Sequence, residues 1–253
     1  MKKLIPALAL LLVSAVMLGT SSFAWFSMNT TVTAADMTIK AVANANLYIA
    51  SGASVVVDSI TGTSVDDLSV SKTALKPADM SDSAGTVTVR EAANYSVEPT
   101  VSSAGTASTW DNIGTVNATT ATTTHATKSL DNYAAIAFVS IARKQTVAAT
   151  YDLTPACTIT VEAAKSSNLN KCLRAGVIIN GALYESNDPN LATGTITFTF
   201  SAISGLSDNT AYSVALLLWY EGDDSDCFVN NATVLTTNVA EWSFTAVDHV
   251  ANP

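Results

Sequence analysis

The sequence is short of the residues that most catalytic chemistry and most nucleic-acid binding require. It has two histidines, His125 and His249, and three cysteines. Lys and Arg together number 12 against 21 Asp and Glu, giving a formal net charge of −9. A Lys-poor, acidic surface repels phosphate backbones and anionic lipid, so nucleic-acid and anionic-membrane partners are excluded. The same balance suits a soluble extracellular protein or one that binds cations. There is no HExxH, no G-x-S-x-G elbow and no phosphate-binding loop. A Cys–His pair such as Cys157 with His125 would have to be assembled in space, and a packed thiol with a solvated imidazole is the plainer reading. With no site visible, the expectation is a protein that is not an enzyme.

Helical periodicity is also missing, apart from the N-terminus. There Lys2 and Lys3 precede an apolar run from Leu4 to Leu18, followed by small residues and Ser22-Phe23-Ala24. Small residues at the −3 and −1 positions place a signal-peptidase cut after Ala24, making residues 1–24 a signal peptide. The rival reading is a leader kept as a membrane anchor, because the apolar stretch extended through Phe26 approaches the length of a span, about 20 residues. Cleavage removes two lysines and leaves the exported chain still more acidic. Contact with a membrane is then expected only through an uncleaved leader.

What fills the rest is β-pattern. "LYIAS" and "SVVVDSI" between Leu47 and Ile60 are short β-rich runs. From about residue 61 to 132 the chain is an insert of Ser, Thr, Ala, Asp and Asn, with "TVTVREA" and "NYSVEPTVS" as strands and "NATTATTTHATKS" as a loop. Beyond Tyr133, "AAIAFVSIA" and "AYSVALLLWYEG" are apolar on both faces, as central strands are. "VIINGALYE" holds Asn180-Gly181 between apolar runs, a hairpin signal, since a type I′ turn needs positive φ at both residues. "TGTITFTFSAI" turns Ile196, Phe198 and Phe200 inward, and "EWSFTAV" puts Trp242 and Phe244 on one face. Many short strands separated by turn signals read as an all-β, antiparallel β-sandwich over residues 36–253.

The odd cysteine count permits at most one bridge within a subunit. "CTITVEAA" turns Cys157 inward with Ile159 and Val161, whereas "CLRAGVII" leaves Cys172 on the face opposite Leu173. A hairpin between these two runs would hold Cys157 and Cys172 about 7 residues of strand apart, roughly 23 Å, beyond disulfide reach. The candidate disulfide is therefore Cys172–Cys227, with Cys157 a buried free thiol; three unpaired thiols are the alternative.

Two further features carry candidate sites. "EGDDSD" supplies Glu221, Asp223, Asp224 and Asp226 directly after a strong strand, in a setting where Ca²⁺ would find loop oxygens. The order is not that of an EF-hand, and a solvated acidic turn is the bland reading. Of the sequons at Asn29, Asn94, Asn117 and Asn231, Asn117 is the candidate for glycosylation, because it lies in the Thr-rich loop.

An apolar leader ending "FAWFS", followed by "MNTTVTAADMTIKA", resembles exported fibre subunits of the TasA/camelysin type. "CLRAGVIINGALYE" and "LLLWYEGDDSDC" resemble surface proteins of the same kind. The resemblance implies release by a dedicated signal peptidase, a jelly-roll β-sandwich, and biofilm-matrix filaments assembled by strand donation between identical subunits, with matrix or cell-wall components as further partners. This chain departs from the family in having few lysines and in having cysteine.

The residues themselves bear on strand donation. From residue 25 the chain alternates, with Trp25 at its head and Phe26, Met28, Thr30, Val32 and Ala34 on one face. At Ala35-Asp36 the phase flips, and Met37, Ile39 and Ala41 become the apolar set. A strand cannot change its buried face without a bulge, a bend or a change of sheet. Residues 25–35 are thus read as a donor-type strand hinged at Ala35 and Asp36, secreted with the subunit to the cell surface. The competing reading is an adhesin-like, surface-anchored module that binds glycan or protein.

Overall fold

A computed structural model describes residues 37–44, 46–70, 75, 78–83, 86–92, 110–120, 122–125, 130–147, 149–160, 173–186, 190–192, 195–222 and 239–250. The strands are β1 (Met37–Ala43), β2 (Leu47–Ser51), β3 (Ser64–Val70), β4 (Asp79–Ser83), β5 (Thr86–Ala92), β6 (Trp110–Asn117), β7 (Thr122–His125) and β8 (Ala134–Arg143). They continue as β9 (Thr150–Thr160), β10 (Leu173–Ile179), β11 (Ala182–Glu185), β12 (Asn190–Ala192), β13 (Thr195–Thr199), β14 (Ile203–Ser207), β15 (Tyr212–Tyr220) and β16 (Val239–Asp248). The described chain is all-β apart from single 3-10 turns at Val57–Ser59 and Leu130–Asn132.

Three sheets result. The first runs β12-β13-β9-β16-β1-β3, with β14 also paired to β9; the second runs β11-β10-β15-β8-β2; the third runs β4-β5-β6-β7. Among the described residues the strand pairs are antiparallel with one exception: β1 lies parallel to β16, from Thr38 opposite Val239 to Ala43 opposite Phe244. Outside the hairpins and the step from β13 to β14, which both pair with β9, successive strands of the first two sheets cross between them. β1 and β3 lie in one and β2 in the other, and β8, β9, β10, β13, β15 and β16 alternate in the same way. Short β-runs with frequent turns permit this, because each strand is finished before the chain must change layer.

The main core lies between these two sheets. Ile39 and Ala41 of β1, Leu153, Cys157 and Ile159 of β9, Ile196 and Phe198 of β13, and Trp242 and Phe244 of β16 come from the first. Val139 and Ile141 of β8, Val177 and Ile179 of β10, and Leu216 and Leu218 of β15 come from the second. Alternation sets which residues enter: inward residues recur at every second position because successive side chains leave a strand on opposite faces. Pro155 would ordinarily be disfavoured inside a sheet. It sits where β9 changes neighbour, between its pairing with β14 (Tyr151 and Leu153) and its pairing with β13 (Ala156 to Thr160), so its missing N–H costs no bond on that side.

The two-faced apolar strands have a specific cause. The third sheet packs on the other side of the second, where Met80, Val87, Val89 and Val116 meet Ile178, Ala215, Leu217 and Trp219. Residues within the Ser/Thr-rich insert therefore supply a further layer, and β10 and β15 are apolar on both faces because both faces are covered. Residues 52–55 seal part of that same outer face: Ser54 N–H donates to Ser213 Oγ at 2.8 Å and Val55 N–H to Ser140 Oγ at 3.3 Å.

The Asn180-Gly181 hairpin forms as its sequence requires, with φ of 53° and 79°. Three expectations are corrected. The strands at Cys157 and Leu173 do not form one hairpin: β9 pairs with β13, β14 and β16, and β10 with β11 and β15, in different sheets. "SVVVDSI" is not a strand, because the chain must turn there from β2 in one sheet to β3 in the other. Ser59 N–H bonds Val56 O at 2.9 Å, and Val56 is left 67% exposed. "NATTATTTHATKS" is not loop throughout: Thr122–His125, three of whose four residues are β-branched threonines, pairs with β6 as an edge strand.

Candidate functional site

The expected polymerisation residues Trp25, Phe26, Met28, Thr30, Val32 and Ala34, and the hinge residues Ala35 and Asp36, lie outside the described residues. What is described is the strand that follows them. β1 is flanked by β16 on one side and β3 on the other. Ile39 and Ala41 are fully buried and Ala43 nearly so, while Thr38, Lys40 and Val42 lie on the opposite, half-buried face. β3 ends the sheet order. Its exposed Asp66 pairs with Lys40 at 3.6 Å, and Val65 and Leu68 lean on the core.

Of the acidic group, Asp223, Asp224 and Asp226 fall outside the described residues. Glu221 does not: its Oε2 accepts the indole N–H of Trp219 at 3.0 Å, and its backbone bridges Ala78. Among the described residues, no group of three or more His, Cys, Asp or Glu side chains is arranged to hold a metal ion. Cys172 and Cys227 are likewise outside. Cys157 is free and fully buried, and burial pushes its thiol well above the usual range, which makes it unreactive in the fold. Asn117 closes β6, and its Oδ1 accepts Thr120 N–H at 3.2 Å, so it caps the β6–β7 turn. His125 lies on β7 opposite Gly114.

A charged cluster that sequence reasoning did not single out joins four elements. Arg143, ending β8, donates from Nε to Asp208 Oδ1 at 2.6 Å and from Nη2 to Asp208 Oδ2 at 3.1 Å. Asp208, in the β14–β15 turn, also accepts Ala149 N–H at 3.0 Å. The same guanidinium reaches Asp248 Oδ1 at 2.9 Å and lies over the Tyr151 ring, 4.8 Å from its centroid. Arg143 and Asp208 are both buried. The hydrogen bonds from Arg143 hold the Asp208 carboxyl below the usual carboxylate range, against the opposing effect of burial. Burial pushes the Tyr151 phenol up, with smaller contributions from Tyr212 and Asp208. Beside this group, His249 Nδ1 and Asp152 Oδ1 are 2.7 Å apart, and Asp152 Oδ1 also accepts Gly205 N–H at 3.1 Å. The one sequence cue was an arginine closing an otherwise apolar strand, since a charge at such a position calls for a partner.

The arrangement binds strand ends together. Its guanidinium is engaged by two carboxylates, one of them bidentate, a geometry suited to fixing loops.

No family model matches the chain, and no curated protein matches it. Among solved structures it is similar to one described as "AvmM Catalyzes Macrocyclization in Alchivemycin A Biosynthesis", with a TM-score of 0.26 and 9% identity, covering 47% of this chain and 82% of that one. A likeness so faint carries no functional argument.

Proposed function

We propose that the protein is a non-enzymatic structural subunit of an extracellular or cell-surface filament, in which the N-terminal segment of one subunit completes a sheet of the next. The two facing sheets are then a β-sandwich of jelly-roll type, with the third sheet as an outer layer.

The observation that carries this reading is the phase of β1. Its buried residues are Ile39, Ala41 and Ala43. A straight continuation upstream would turn Thr33, Thr31, Asn29 and Ser27 towards the same core and leave Phe26, Met28 and Val32 facing away. An apolar row with no core to enter in its own sheet is a liability on a monomer and a recognition element in a polymer. Burying Phe26, Met28 and Val32 in a neighbour contributes roughly 1.5–3 kcal/mol each, before the cost of ordering the segment.

The test is assembly of the exported protein. Filaments that require residues 25–34 support strand donation. A folded protein that stays monomeric at every concentration tried removes the proposal.

A further inference from the structure

The two halves of β16 are held differently. Through Phe244 the strand is paired on both sides, with β9 and with β1. β1 ends at Ala43, and Asn44 N–H makes the next bond on that side, to Phe244 O at 3.0 Å. From Thr245 to Asp248 the described ladder continues to β9 alone, and His249 N–H adds a bond to Thr150 O at 3.0 Å. Within residues 245–249 only Ala246 packs against the core, while Thr245, Val247, Asp248 and His249 are exposed. Apolar burial therefore holds this end weakly.

Two side-chain ties remain, and each depends on a carboxylate. His249 meets Asp152 of β9, and Asp248 meets Arg143 at the end of β8. Asp152 Oδ1 also takes the Gly205 N–H of β14, which can only donate. An ionised Asp152 can only accept, so in that state His249 Nδ1 is the donor of this tie. The groups facing these ties are Ser204 and Gly205 from β14, Tyr151 from β9, and Asp208 from the β14–β15 turn, which shares Arg143.

We propose that residues 245–249 are an acid-released flap, triggered by protonation of Asp152, which frees the end of β16 from β9 while the rest of the fold stays closed. Release uncovers backbone positions of β9 from Thr150 to Thr154, an open edge of the kind that accepts an extended strand. This device is independent of the filament reading.

The sign follows from the surroundings of Asp152. Partial burial pushes its carboxyl up, but the bonds from His249, Gly205 and Ser204 outweigh this and hold it below the usual range. The tie is therefore fully present above the ordinary Asp value, about 3.9, and is lost as pH falls through the lower folded value.

Native-state hydrogen exchange on the intact protein, corrected for intrinsic rates, tests the flap between neutral and acid pH. The expected result is that the amides of Thr245, Val247 and His249, which face β9, lose protection at a higher pH than amides of β8 and β15. In Asp152→Asn that separate step should vanish. In His249→Ala, a surface change that leaves the core untouched, flap protection should already be low at neutral pH. Simultaneous loss of protection in the flap and in β15 of the wild type would overturn the proposal, as would an unaltered acid step in Asp152→Asn.

Discussion

Gly176 of β10 lies under the indole of Trp219 of β15: a methyl at position 176 would sit 2.8 Å from Trp219 Cζ3 and 3.1 Å from Leu183 Cδ1. Trp219 opposes Arg174 in the register, so Gly176 is its diagonal neighbour on the face that meets the third sheet. The absent side chain at 176 is what leaves room for the ring there, with its N–H bonded to Glu221. Gly176→Ala should therefore destabilise the protein by about 1–3 kcal/mol through overpacking. A denaturant midpoint equal to that of the wild type would show that the ring has room to move.

The buried pair of Arg143 and Asp208 makes a larger prediction. Asp208→Ala leaves a buried guanidinium with the Tyr151 ring and, as its only carboxylate among the described residues, the exposed Asp248, a type of change that costs about 3–5 kcal/mol. Chemical denaturation reads this directly.

The same pair sets an acid limit on stability. Arg143 holds the Asp208 carboxyl below its usual range. A depressed carboxyl contributes stability above the ordinary Asp value and loses it as pH falls through the folded value. Melting temperature should drop below about pH 4, and the drop should be shallower in Asp208→Asn. An identical acid limb in that variant would show that Asp208 is not a source of it.

Much of the fold was legible because alternation is a local property. The inward sets of β10, β13 and β16, and the Asn180-Gly181 turn, could be read from a few neighbouring residues each, whereas β15, apolar on both faces, shows only that it is central. The third layer was visible only in part. Val87, Val89 and Val116 alternate in a Ser/Thr-rich background, but nothing local reveals that they meet Leu217 and Trp219. The expected hairpin between the runs at Cys157 and Cys172 failed for a related reason: adjacent strands here change sheet instead of pairing. The Arg143–Asp208 pair joins residues 65 positions apart, and neither stands out alone. Trp25 to Asp36, on which the functional reading turns, lie outside the described residues.

Thiol counting tests the cysteine assignment. Cys157 is buried within β9, opposite Phe198 and Trp242. Cys172 directly precedes Leu173, and Leu173 pairs with Tyr220, the end of the strand that leads on towards Cys227. Unfolded, unreduced protein should show one free thiol, Cys157, and folded protein none that reacts. Three free thiols after unfolding would rule out the Cys172–Cys227 bridge.

Electron microscopy of the exported protein beside two variants is the most direct test of strand donation. The wild type should form filaments. Deletion of residues 25–34, and Val32→Asp, should each give a protein that melts as a folded domain yet forms no filaments, because the described core from Met37 onward is intact while the donated apolar row is removed or charged. Normal filaments from either variant would contradict the account.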